Sequence, residues 1–125
     1  MNHYTIELQN RTRNFSIAII EIIRAIKIDI INKNIVSQIL RSSTSIGANY
    51  NEAIESESRD DFVHKISICK KESNETLYWL ELLEKTNPTL LDRTTPLKLE
   101  VQELTKIFAA TIATTKRNKL INKLV

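Results

Sequence analysis

Apolar residues recur along this chain at alternating steps of four and three, the spacing of a helix that turns one side to a core. Leu8, Thr12, Phe15, Ile19, Ile22 and Ile26 form one such seam, and Ile35, Ile39, Ser42, Ile46, Asn49 and Ala53 a second. A third runs through Phe62, Ile66, Cys69, Ser73, Thr76, Leu80 and Leu83, and a fourth through Leu97, Val101, Leu104, Phe108, Thr111 and Thr115. Four seams predict four helices, near 7–26, 33–57, 59–86 and 96–119. Start signals suit this division. Ser58 with Asp61 resembles a capping box, Thr95 stands before a first-turn Pro96, and Asn32 or Asn34 is placed to cap the second helix. The joins are short, which favours antiparallel neighbours. The expected fold is all-α, an antiparallel up-down-up-down four-helix bundle, one domain over residues 1–125 with a basic C-terminal tail. Ile26 to Ile31 alternates with period two, as a short extended piece would, and reads as the loop leaving helix 1.

Composition narrows the chemistry. The chain has 125 residues with one glycine, two prolines, one cysteine and two histidines. Hairpins need turn residues every ~8–12 positions, so an all-β domain is excluded. A lone Gly47 cannot supply a phosphate loop or a dinucleotide fingerprint. A lone Cys69 excludes an internal disulfide and a cysteine-based zinc site, and fits a reducing compartment. The start, Met1 to Arg13, lacks the apolar core of a signal peptide, and Phe15 to Ile31 carries Glu21, Arg24, Lys27 and Asp29, which forbids a spanning helix. A soluble cytoplasmic protein without a membrane segment is expected.

No catalytic constellation emerges. A di-iron bundle needs inward glutamates and two Glu-x-x-His pairs. This chain has Asp61-x-x-His64 once, with His64 off its seam, while Glu52 with Glu55 and Glu72 with Glu75 have no histidine. Cys69, on the third seam, reads as a small buried hydrophobe. The expectation is a protein without metal, cofactor or catalytic residues, and not an enzyme. Asp61 with Lys65 and Glu81 with Lys85 are spaced as ordinary solvated pairs.

Between Arg41 and Glu52 lies an uncharged run, Ser42-Ser43-Thr44-Ser45-Ile46-Gly47-Ala48-Asn49-Tyr50-Asn51. A surface helix normally turns charge to water about every fourth residue, so more than one side of this helix should be covered. Gly47 costs ~1 kcal/mol against alanine inside a helix, which close approach of another backbone would offset. Two readings stand: a tight crossing within one bundle, or a subunit interface, with Ser43, Ile46, Gly47, Asn49, Tyr50 and Trp79 as the packing residues. Buried hydroxyls and amides need partners. Glu72, Ser73, Glu75 and Thr76 on the third helix are candidates.

The stretch Leu40 to Ala53, containing SIGANYNEA, with DFVHK at 61–65 and ETLYWLELL at 75–83, resembles the bacterial four-helix-bundle family of the 23S ribosomal RNA intervening-sequence protein. The likeness extends to Arg11-Thr12 and Ile107-Phe108; Cys69 and Ser73 stand where alanine-sized residues are expected. The resemblance implies an up-and-down bundle that assembles as a ring-like homopentamer. It also implies a relationship to the accessory variability protein of diversity-generating retroelements, a basic pentameric barrel that binds nucleic acid and a reverse transcriptase. No catalytic residues are assigned in that family, so none carries over.

Charge is unevenly distributed. Residues 1–33 carry a net +2, residues 34–86 a net −3 and residues 87–125 a net +4. No acid follows Glu103, whereas Lys106, Lys116, Arg117, Lys119 and Lys123 do. With Arg11 and Arg13 from helix 1, these are the candidate contacts to RNA or DNA phosphates, giving affinity with little sequence preference. The bland alternative is a solubilising tail whose lysines complement the helix dipole. Tyr78 and Trp79 either stack on bases or pack among their leucine neighbours. An accessory protein that binds structured nucleic acid is one expectation, and a homo-oligomeric protein-interaction scaffold the other.

Overall fold

A computed structural model describes residues 2–124; Met1 and Val125, the ends of the expected domain, lie outside the described residues. Four helices follow one another: α1 (His3–Arg24), α2 (Ile30–Ile54), α3 (Arg59–Thr86) and α4 (Leu91–Leu124), with a 3-10 turn at Pro88–Leu90. Each helix packs on the next, α4 closes back on α1, and among the described residues the diagonal pairs keep their backbones apart and meet only through core side chains such as Tyr50 and Phe108. Cross-links fix the directions. Ser16 reaches Ser43, Arg41 reaches Glu75, and Glu84 reaches Thr94, so consecutive helices run antiparallel. The expected up-down-up-down bundle is the observed one.

The apolar seams become the core. Leu8, Phe15, Ile19 and Ile22 of α1 are buried with Ile39, Ile46, Ile66, Leu80, Leu83, Val101, Leu104 and Phe108. The second seam departs at one position. Tyr50 is buried where Asn49 was expected, and Asn49 lies half out, its amide donating to the Ser45 carbonyl at 2.9 Å. An asparagine on the seam would need a partner across the core, whereas one step around the helix it finds a local acceptor.

Helix ends differ more. Ser58 caps α3 as expected, accepting from Asp61 N–H at 3.1 Å. The cap of α2 is Asp29, which accepts from the N–H groups of Ile31 and Asn32 at 3.0 and 2.7 Å, so neither Asn32 nor Asn34 has that role. Asn32 is buried instead. It donates to the Lys27 carbonyl and exchanges side-chain hydrogen bonds with Asn87, tying the α1–α2 loop to the α3–α4 loop. Asn2 caps α1, which therefore starts earlier than its seam, and α2 stops at Ile54. The loop expected at Ile26 to Ile31 is present: Ala25 to Asp29 connect α1 to α2 without a strand, and Ile30 and Ile31 already belong to α2.

The largest correction concerns α4, which begins at Leu91 and carries Pro96 inside it. Pro88, not Pro96, opens the helical run, directly after Asn87. Pro96 removes one helical N–H, and Thr95 Oγ1 donates to the Leu91 carbonyl at 2.7 Å beside the gap. At its other end α4 stays helical through the basic segment. At ~1.5 Å per residue α4 is about 50 Å long against about 33 Å for α1, so residues past Thr115 run beyond the start of α1. No helix is long and apolar enough to cross a membrane among the described residues.

Candidate nucleic-acid interface

The antiparallel order decides which basic residues come together. Arg11 faces α4 and forms a two-point pair with Glu100, Nη2 to Oε1 at 2.6 Å and Nε to Oε2 at 3.1 Å. The Glu100 hydrogen bond raises its pKa further. Arg11 is thus a clamp between α1 and α4. Arg13 is exposed and leans over the α1–α2 groove beside Thr44, Gly47 and Asn51, on another flank from the C-terminal lysines. The expected patch is therefore divided.

The groove between α3 and α4 assembles charge instead. Ser67, Lys70, Lys71 and Asn74 of α3 and Ile112 and Lys116 of α4 line a surface cavity of about 440 Å³. Lys70 and Lys71 sit in the net-acidic middle of the sequence, and block-by-block charge counting passes over them. Their signal was helical position: both lie on the solvent side of the third seam, turned towards α4. Arg117 and Lys123 are exposed further along α4, and Lys106 is exposed one turn and a half before Ile112. Lys119 is committed to Asp60, and that hydrogen bond lowers the Asp60 pKa. Arg59 faces Asn122, whose side-chain oxygen is placed to accept from both terminal guanidinium nitrogens.

The uncharged run lies at the opposite corner. Gly47 meets α1 at Thr12, where an added Cβ would stand 3.3 Å from Oγ1 and 3.5 Å from Cβ. Ser43 is buried, and its carbonyl accepts from Ser16 Oγ at 3.2 Å; the Ile46 carbonyl accepts from the Cys69 thiol at 3.5 Å. On the α3 side, Thr76 Oγ1 lies 2.8 Å from Ser42 Oγ and 2.8 Å from the Glu72 carbonyl oxygen. Arg41 bridges Glu72 at 3.4 Å and also grips Glu75, which accepts from Trp79 Nε1 at 3.3 Å. Ser73 bonds only within its own helix. Two flanks of α2 are thus covered from within one chain. Tyr50 packs against Phe108 with ring centres 6.2 Å apart, and Trp79 stands half-buried with exposed Tyr78 edge-on to it.

Burial pushes the Cys69 thiol up to about 12, so it is a packing group. His64 and Asp61 are exposed, and Lys65 reaches Glu52 at 2.7 Å, not Asp61. Among the described residues no three His, Cys, Asp or Glu side chains gather as a metal site would require.

Comparison with known proteins matches this bundle. The sequence model of a family described as 23S rRNA-intervening sequence protein matches residues 5–110. Among solved structures, a crystal structure of a protein of unknown function from the S23 ribosomal protein family of Bacteroides thetaiotaomicron is similar at 34% identity, with a TM-score of 0.72. The likeness covers 83% of this chain and 96% of that one. No curated protein matches the chain.

Proposed function

The chain belongs to the 23S rRNA-intervening sequence protein family, and on that premise we propose that it is a non-catalytic, cytoplasmic accessory protein that binds nucleic acid through the basic groove between α3 and α4. The observation that carries this reading is the convergence of Lys70, Lys71 and Lys116 on one cavity, with exposed Arg117 and Lys123 beyond it on a stretch of α4 free of acids. Phosphates neutralise such a row and release counterions, giving affinity for structured RNA or DNA with little base preference. The Ser67 and Asn74 side chains add neutral hydrogen-bonding groups for backbone oxygens.

The same proposal includes a homo-oligomer, a pentamer on the family resemblance, with a reverse transcriptase as a further candidate partner. An interface is favoured by Leu40 and Tyr78, large apolar side chains that are 40% and 56% exposed. They stand at one level of the α2–α3 pair, because neighbouring Arg41 and Ser42 reach Glu75 and Thr76. In a ring each weak basic site is repeated, and avidity multiplies its effect. This apolar level also supports the second reading, a protein-interaction scaffold in which the lysines only solubilise.

Electrophoretic mobility shift with structured RNA at several salt concentrations, alongside light scattering, tests both. Binding that falls steeply with salt and is lost in Lys70→Glu/Lys116→Glu supports the nucleic-acid reading. Absence of binding at low salt, or binding unchanged by that reversal, overturns it. A protein partner retained after nuclease treatment selects the scaffold.

A further inference from the structure

At the end of the bundle where α1 begins, α1 and α4 part around a cavity of about 600 Å³. Its aromatic walls come from three helices: Tyr4, Tyr50 and Phe62. From α4 it receives Thr111, Thr114 and Thr115, and none of its lining residues carries a charge. Thr111 and Thr115 each donate their hydroxyl hydrogen to the carbonyl one turn earlier, at 2.8 Å. With those hydrogens committed to the helix, the two hydroxyl oxygens have only acceptor capacity left for anything in the cavity they line. Aromatic faces with hydroxyl acceptors and no ions suit a flat, uncharged ring that has an amino group on its edge.

The cavity also shares a wall with the basic groove. Thr111 and Thr115 face the aromatic side, while Ile112 and Lys116, one residue further, face Lys70 and Lys71. Only the thickness of α4, ~10–12 Å with side chains, separates a place for phosphates from a place for a ring. A short single-stranded stretch crosses that distance, whereas a duplex keeps its bases stacked inside.

We infer that the α1–α4 cavity holds one unpaired base bearing an exocyclic amino group, adenine above all, while the flanking phosphates lie on the α3–α4 groove. This rests on the nucleic-acid reading of that groove and sharpens its ligand to single-stranded or looped RNA or DNA. Tyr4, exposed at the mouth, and half-buried Phe62 supply the stacking faces. Uracil and thymine present no amino group to Thr111 and Thr115 and bind less well.

Fluorescence anisotropy of the intact protein with labelled oligo-A, oligo-U and a duplex of the same length tests it. Oligo-A is expected to bind about tenfold tighter than oligo-U, the size of one stacked and hydrogen-bonded base. Ala110→Leu fills the cavity from an exposed lining position, and Tyr4→Ala removes a stacking face outside the core. Each should bring oligo-A to the oligo-U affinity and leave duplex binding unchanged, with the thermal melt confirming the fold. Equal affinity for oligo-A and oligo-U, unaltered by either variant but lost in Lys70→Glu/Lys116→Glu, overturns the base site and leaves the groove. Failure of every oligonucleotide and of the duplex to bind overturns both.

Discussion

The crossing around Gly47 and the outer half of α4 treat polarity in opposite ways. At the crossing, Ser42, Ser43, Ser73 and Thr76 are fully enclosed, and their hydroxyls bond to helix carbonyls or to one another. Among the described residues no buried side-chain polar atom lacks a partner. In α4 burial ends with Phe108, and the remaining turns alternate exposed lysines, hydroxyls and apolar residues such as Leu120 and Ile121. A helix covered on two flanks has little side left for charge, while α4 beyond the start of α1 keeps only α3 beside it, at Asp60, and turns most of its surface to water. Stability and ligand contact therefore reside in different segments, and substitutions should separate them.

The largest effect is expected at the crossing. Ile46 is fully buried, and Ile46→Ala should cost about 2–5 kcal/mol, read from denaturant midpoints. Next comes Gly47→Val. Its branched side chain meets Thr12 where even a Cβ is tight, and the forced separation of α1 from α2 should cost about 1–3 kcal/mol. Gly47→Ala exchanges that crowding for better helix propensity and should stay within about 1 kcal/mol of the parent. If Gly47→Val melts at the parental temperature, Gly47 is not held by the α1 contact, and the contrast between the two regions loses its first term.

Arg41 joins the crossing to water and brings a pH dependence. Its hydrogen bond holds the Glu75 carboxyl below the usual range, whereas burial, with the Glu75 charge second, pushes Glu72 up. Glu75 therefore contributes stability above the ordinary carboxylate range, lost as pH falls through its lowered value. Ionised Glu72, only 7% exposed, costs stability at neutral pH, and protonation relieves that cost. Arg41→Ala removes the cation from both and should destabilise by about 1–2 kcal/mol at pH 7. The deficit should shrink as pH falls into the carboxylate range. A deficit that grows on acidification would mean that Glu72 is not the strained partner.

Much of this division can be read from the amino-acid order. The four-three spacing locates the core from Leu8 to Phe108, and the uncharged run from Ser42 to Asn51 marks a helix covered on two sides. What spacing does not settle is which neighbour covers it; that depended on Thr12 and Thr76 arriving from other helices. Pro96 misplaced the start of α4 because the same proline rule is met by Pro88 eight residues earlier, after Asn87. The charge patch was legible only in part. Arg11 belongs with the C-terminal lysines until the antiparallel order sets it against Glu100, and Lys70 and Lys71 are hidden by the acids around them in sequence. The aromatic cavity draws on residues from all four helices and has no linear signature.

The smallest stability effect sharpens the comparison most. Lys116→Glu with Arg117→Glu alters two exposed positions that make no ion pair among the described residues, so unfolding should shift by no more than about 0.5 kcal/mol. Nucleic-acid binding should respond strongly. Each phosphate contact contributes about 0.9 to the slope of log affinity against log salt on a duplex, and about 0.7 on a single strand. Losing two such contacts should flatten the slope by about 1.4 to 1.8. Ile46→Val, a mild change at the crossing, should lower the melting temperature and leave that slope untouched. If instead the double reversal weakens binding with the slope intact, the loss is not one of phosphate contacts, and the two residues do not touch phosphate. The contact surface would then narrow to Lys70 and Lys71, on the α3 side of the groove.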